Sequence, residues 1–186
     1  DPNFAPLTQA AREVERIRGQ VDGASSLVLT RGQATAEAFL RSSPGRFANI
    51  HFTAHATANY QSPLDSAVIL THGKLYARDI LELPLHAGLV TVSACRGVGV
   101  RAYSGEGLVG FSWAFLRAGA RRVIAGMWDV NDASTAVLMG ELYSRLARGE
   151  APETALREAK LSLMGQGGNF RKPYYWAPFQ IYSAAP

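Results

Sequence analysis

A chain of 186 residues that is 47% hydrophobic and 18% charged has the apolar content of one folded domain and is not built like a disordered segment. Its net charge of +4 comes from 16 Arg and 3 Lys against 15 acids, scattered except at Arg121-Arg122 and Arg171-Lys172. No basic face with interleaved aromatics is visible, which argues against direct nucleic-acid binding.

In chain order, Leu7, Ala11, Val14 and Ile17 recur at helical spacing, so residues 8–19 are expected to form an amphipathic helix capped by Thr8. Ser26 to Thr30 reads as a short strand, and Thr35 to Leu40 as a second helix ending before Ser43-Pro44-Gly45. Residues 48–55 alternate in the strand manner, with Ile50, Phe52 and Ala54 on one face and His51, Thr53 and His55 on the other. Ser66 to Leu70 and Leu75-Tyr76, joined by Thr71 to Lys74, suggest a small hairpin, followed by a short helix over Ala77 to Glu82.

Leu89 to Cys95 is apolar and β-branched at its start, as a strand buried on both faces should be. A helix over Gly107 to Ala118, stopped by Gly119, leads to a second buried strand over Val123 to Trp128. Asn131 or Asp132 is expected to cap a helix reaching about Arg148, and Pro152 opens another. Gly165 to Gly168 reads as a loop and Ala177 to Ser183 as a last strand. Strands alternating with helices define an α/β chain with a mostly parallel sheet, read as a single domain over 1–186. The apolar runs fall far below the roughly 18 residues that a membrane helix needs. Asp1-Pro2-Asn3-Phe4 carries no signal-peptide pattern, and the absence of an initial Met suggests a piece of a longer chain.

In open α/β sheets the working residues gather beyond the carboxyl ends of the strands. His55 closes the strand at 48–55 and Cys95 closes that at 89–95, so neighbouring strands would set a thiol against an imidazole. An imidazolium nearby raises the thiolate fraction of a group whose ordinary pKa is about 8.5. The competing reading makes Cys95, the one cysteine, an inert core residue. That count also excludes an intrachain disulfide and a paired-cysteine zinc site. His51, four residues deeper in the strand, reads as a hydrogen-bonded structural group; His72 and His86 have no acidic partners at metal-ligand spacing, so neither metal nor cofactor is expected. Cys95 to Arg101 also has the C-x5-R spacing of a phosphate cradle, although the following Ala102 to Gly107 does not read as the helix start that such a cradle uses.

Six segments in order resemble the CHAT family of caspase-like domains associated with tetratricopeptide repeats. They are Ile50-His51-Phe52-Thr53-Ala54-His55, Val92-Ser93-Ala94-Cys95, Gly105-Glu106-Gly107-Leu108-Val109-Gly110, Phe115 to Ala120, Trp128-Asp129-Val130-Asn131-Asp132 and Tyr175-Trp176-Ala177-Pro178-Phe179. The resemblance implies a caspase-like three-layer α/β/α sandwich with a central, mostly parallel sheet and a small hairpin. It also implies a cysteine endopeptidase with Cys95 as nucleophile, His55 as its partner, and the backbone N–H groups of Ala56 and Cys95 as oxyanion donors. Met127, Trp128, Asp129, Asn131 and Asp132 would shape the substrate pocket.

Two departures stand out. Ala56 replaces the Gly usual after the family's His, which would strain a loop needing φ > 0, and Arg96-Gly97-Val98 replaces Glu-Thr-Gly. Where aspartate-specific caspases carry Arg after the Trp, this chain has Asp129, which points to cleavage after a basic or small polar residue. The resemblance further implies a bacterial-type cytoplasmic protease acting on a protein or peptide substrate, controlled by a repeat region or partner protein and not bound to a membrane. A binding-only module and a Cys-dependent phosphatase are the alternatives.

Overall fold

The computed structural model describes residues 4, 6–59, 61–93, 106–128 and 131–184, apart from the side chains of 106–109. The strands are β1 (Asn49–Phe52), β2 (His55–Thr57), β3 (Ala67–Leu70), β4 (Gly73–Tyr76), β5 (Leu89–Val92), β6 (Arg122–Gly126) and β7 (Phe179–Ser183). The α-helices are α1 (Ala10–Arg18), α2 (Ala36–Arg41), α3 (Ala77–Leu81), α4 (Glu106–Arg117), α5 (Asp132–Ala147) and α6 (Pro152–Gly165).

A four-stranded sheet has the order β1-β5-β6-β7, and its β1–β5 and β5–β6 pairs are parallel. The Ala184 N–H donates to the Arg121 carbonyl at 3.3 Å, joining the end of β7 to the start of β6. The chain is therefore mixed α/β with a mostly parallel central sheet. All four residues of β5 are buried, as expected for the strand that β1 and β6 flank. Val90, Val92 and Val123 face one cluster with Phe39 of α2, Ile80 of α3 and Phe111 and Phe115 of α4. Leu89, Thr91 and Ile124 alternate with them and are buried as well.

A second, antiparallel sheet has the order β2-β3-β4. The expected hairpin is its β3–β4 pair, with a tighter turn than 71–74. Leu70 stands opposite Gly73, so only Thr71 and His72 lie between the strands, His72 at φ 60°. Thr71 anchors that turn, its N–H donating to the Ala34 carbonyl at 2.8 Å and its hydroxyl to the Arg31 carbonyl at 2.7 Å.

The chain divides into two compact units, one of 1–5, 29–129 and 180–186, the other of 6–28 and 130–179. The first holds the β2-β3-β4 sheet, helices α2 to α4 and the four-stranded sheet. In the second, α5 packs against both α1 and α6. Asn131 caps α5, its side-chain oxygen accepting from the Ser134 N–H at 3.1 Å, and Pro152 begins α6. The cap expected at Thr8 is not formed: α1 begins after Gln9, and its first turn is served from α5. Ser26 to Thr30 is not a strand. Ser26 and Thr30 have extended backbone, yet the segment has no place in either sheet, and extension without a ladder partner is not β-structure.

Candidate active site

The parallel register runs Asn49↔Leu89, Ile50↔Val90, His51↔Thr91 and Phe52↔Val92. The Phe52 carbonyl ends this ladder by accepting from both the N–H (3.0 Å) and the hydroxyl (3.2 Å) of Ser93. The same hydroxyl lies 3.4 Å from Nε2 of the half-buried His51, the type of contact a structural histidine makes. Ser93 is itself buried, so its hydroxyl acts as a clamp between the ends of β1 and β5. Ser93 stands two positions before Cys95, with no periodic or compositional signal in the sequence that announces the clamp.

The strand expected over 48–55 is two strands. β1 stops at Phe52, and His55 opens β2 in the other sheet, opposite Ile69 of β3. His55 therefore does not close the central strand. Its backbone is held by β3, and Thr53 and Ala54 carry the chain across. The imidazole is half-buried and stacks on Phe4, with centroids 5.0 Å apart and ring planes at 26°. No periodic signal in the sequence links positions 4 and 55.

Ala56 is buried in the core cluster and in register with Val68. Among the described residues, non-glycine positive φ occurs at Arg31, Ser43 and His72. Ala56 is not one of them, so the left-handed strain expected from replacing Gly is absent. Cys95 and the whole C-x5-R segment to Arg101 lie outside the described residues, as does Asp129.

Met127, half-buried, and Trp128, exposed, directly follow β6. Asn131 and Asp132, grouped with them in the sequence reading, have other tasks in the structure. Asn131 is the α5 cap. Asp132 Oδ2 accepts from the Gln9 N–H at 2.7 Å and the Thr8 hydroxyl at 3.1 Å, placing a carboxylate at the start of α1, where unsatisfied N–H groups favour negative charge. His72 and His86 are exposed, and no group of three potential metal ligands occurs among the described residues. No helix among them is long and apolar enough to cross a membrane.

A parallel sheet with a histidine just beyond the end of β1 defines the class, and comparison defines the family. The CHAT domain model matches residues 1–184, so the chain belongs to the CHAT family of caspase-like domains. It is also similar to tetratricopeptide repeat protein 28 of Mus musculus, at 33% identity over 107 residues, and to its Homo sapiens counterpart, at 30% over the same length. Each match covers 58% of this chain but only 4% of the relative, so the chain corresponds to a small part of those proteins.

Proposed function

We propose that this chain is one caspase-like domain acting as a cysteine endopeptidase, with Cys95 as nucleophile and His55 as its proton-transfer partner. The observation that carries the reading is the β1–β5 register. The parallel strands β1 and β5 end at the matched pair Phe52↔Val92, and His55 and Cys95 each follow that pair by three positions in the sequence. Strands lie about 4.8 Å apart and three residues span at most about 10 Å, a reach that supports the two groups sharing one groove at the carboxyl end of the sheet.

In the reaction, the Cys95 thiolate adds to the scissile carbonyl, and the tetrahedral oxyanion is held by backbone N–H groups, for which Ala56 and Cys95 are the candidates. Collapse breaks the C–N bond, His55 gives its proton to the departing amine, and a carbon–sulfur acyl-enzyme remains. Water activated by His55 then releases the acid and restores the thiol. Met127, Trp128 and Asp129 are proposed to contact substrate. A preference for a basic residue before the cut rests on Asp129, because Asp132 is committed to α1. The CHAT membership and the similarity to tetratricopeptide repeat proteins support control by a repeat region; a partner protein and a cytoplasmic setting belong to the same proposal.

The test is labelling with a peptidyl electrophile, read by intact mass; Cys95 is the one cysteine, so adduct formation is unambiguous. Labelling of the wild-type chain faster than of His55→Ala, with none of Cys95→Ala, is the expected result. Labelling at the rate of a free thiol, unchanged in His55→Ala, would instead favour a binding-only module. Hydrolysis of an aryl phosphate lost on Arg101→Ala would favour the phosphatase.

A further inference from the structure

We propose that the face of the β2-β3-β4 sheet carrying His55 continues into a cationic surface that holds an acidic segment of the protein substrate; the inference rests on the peptidase reading, in which His55 is the partner of Cys95. Residues directly opposite each other across a strand pair share a face. His55 stands opposite Ile69, and Ile69 opposite Lys74, so the three form one row. The next row, Ala56, Val68 and Leu75, points the other way, into the core cluster. Exposure increases along the His55 row, from the half-buried His55 and Ile69 to Lys74, exposed on the edge strand β4. Two strand spacings, about 10 Å, separate the backbone at His55 from that at Lys74.

The hairpin tip adds a second cation. The Thr71 hydroxyl donates to the Arg31 carbonyl at 2.7 Å, which fixes Arg31 beside the turn. Arg31 is exposed and held at φ 49°, a left-handed backbone that glycine adopts without strain and arginine does not. The strain holds an exposed cation in place, not a packed side chain. The acids around these cations are few and committed. Residues 38–78 contain one, Asp65, which pairs with Arg78. Of the acids that bound this stretch, Glu37 pairs with Arg41 at 2.7 Å, and Asp79 accepts from the Tyr76 N–H at 3.0 Å. A carboxylate-rich peptide brings the charge that Lys74 and Arg31 lack, and it needs no stacking platform. Nucleic acid fits less well, because Tyr76, the aromatic two residues from Lys74 on the same face, is already covered by the Arg78 guanidinium, 4.3 Å from its ring centroid.

The experiment follows the fluorescence anisotropy of a fluorescein-labelled oligoglutamate peptide titrated with the 186-residue chain. Lys74→Gln and Arg31→Gln should each weaken binding about two- to fivefold, the range of one exposed ion pair, and added salt should weaken it in wild type. Lys172→Gln, which removes an exposed cation of the other compact unit, should bind as wild type does. Joined through a flexible Gly-Ser linker to a peptidyl electrophile, the same oligoglutamate should speed the labelling of Cys95 in wild type at limiting reagent, and less so in Lys74→Gln. No binding, or equal binding by all four proteins, would overturn the surface. Tighter binding of oligothymidylate, lost in the same variants, would overturn the choice of a protein segment. Lys74-dependent binding without faster labelling would overturn the substrate role. If wild type were labelled no faster than His55→Ala while Lys74-dependent binding persisted, the peptidase reading would fall and the substrate role with it, while the cationic surface would stand on its own.

Discussion

Replacing Gly119 by Ala should destabilise the protein far more than replacing Gly149, although both glycines have positive φ, 112° and 83°. A Cβ on Gly149 would meet nothing within 4 Å. Its cost is the left-handed backbone, about 1–2 kcal/mol, offset by about 0.4–1 kcal/mol from a stiffer unfolded chain, or roughly 1 kcal/mol net. A Cβ on Gly119 would fall under 3.0 Å from the carbonyl oxygen of Leu85, a backbone atom that cannot swing aside. Relief requires moving the segment before β5, where the Leu85 N–H donates to the Ala118 carbonyl at 2.8 Å and the Leu85 side chain is fully buried. Added to the same backbone cost of roughly 1 kcal/mol, overpacking of about 1–3 kcal/mol and a weakened hydrogen bond of about 1 kcal/mol bring the total to about 3–5 kcal/mol. With a urea slope of about 2 kcal/mol/M, the midpoint should fall by about 1.5–2.5 M for Gly119→Ala against about 0.5 M for Gly149→Ala. Midpoints within about 0.5 M of each other would refute the close approach of residues 85 and 119.

Asp132→Ala should lower the melting temperature by about 2–8 °C, because it removes two hydrogen bonds at the start of α1 worth about 1–2 kcal/mol together. An unchanged melting temperature with an altered cleavage preference would return Asp132 to the substrate pocket. Lys160, on α6, has its pKa lowered from 10.5 by burial. The folded state thus releases this proton before the unfolded state does, and as pH rises towards 10.5 the unfolded chain holds more protons and stability increases. Lys160→Met should flatten that rise in urea midpoints measured from neutral pH up to 10.0; parallel profiles would refute it. Above 10.0 Tyr182, whose pKa burial raises, acts in the opposite direction, since its folded form keeps the proton longer.

The six α-helices among the described residues were each legible as segments, with Pro152 at the start of α6, whereas the ends were read less well: Thr35, expected inside its helix, is the residue before it, its hydroxyl accepting from the Ala38 N–H at 3.0 Å. β5 and β6 were legible because a continuous β-branched run has few ways to be buried except inside a sheet. The site was read less completely. His55 is nominated by its place at the end of the alternating segment 48–55, yet that segment is two strands in different sheets, since the alternation continues through Thr53 and Ala54 where the ladder does not. Asp132 follows a strand and opens a helix, a position equally fit for a pocket wall or a helix-terminal carboxylate; its acceptance from the Gln9 N–H shows the second use, which local sequence does not announce.

Residue order by itself determined the family and the alternation of helices and strands, and it nominated His55 and Cys95 as the candidate site. A helix closes its hydrogen bonds within one segment, so local sequence suffices to announce it. A strand has no such closure. Which edge receives it, where its pairing stops and what stacks on its side chains depend on segments far away in the chain. For that reason the break between β1 and β2, the unpaired extension at Ser26 to Thr30, the Ser93 clamp and the Phe4 ring on His55 belong to the tertiary structure alone.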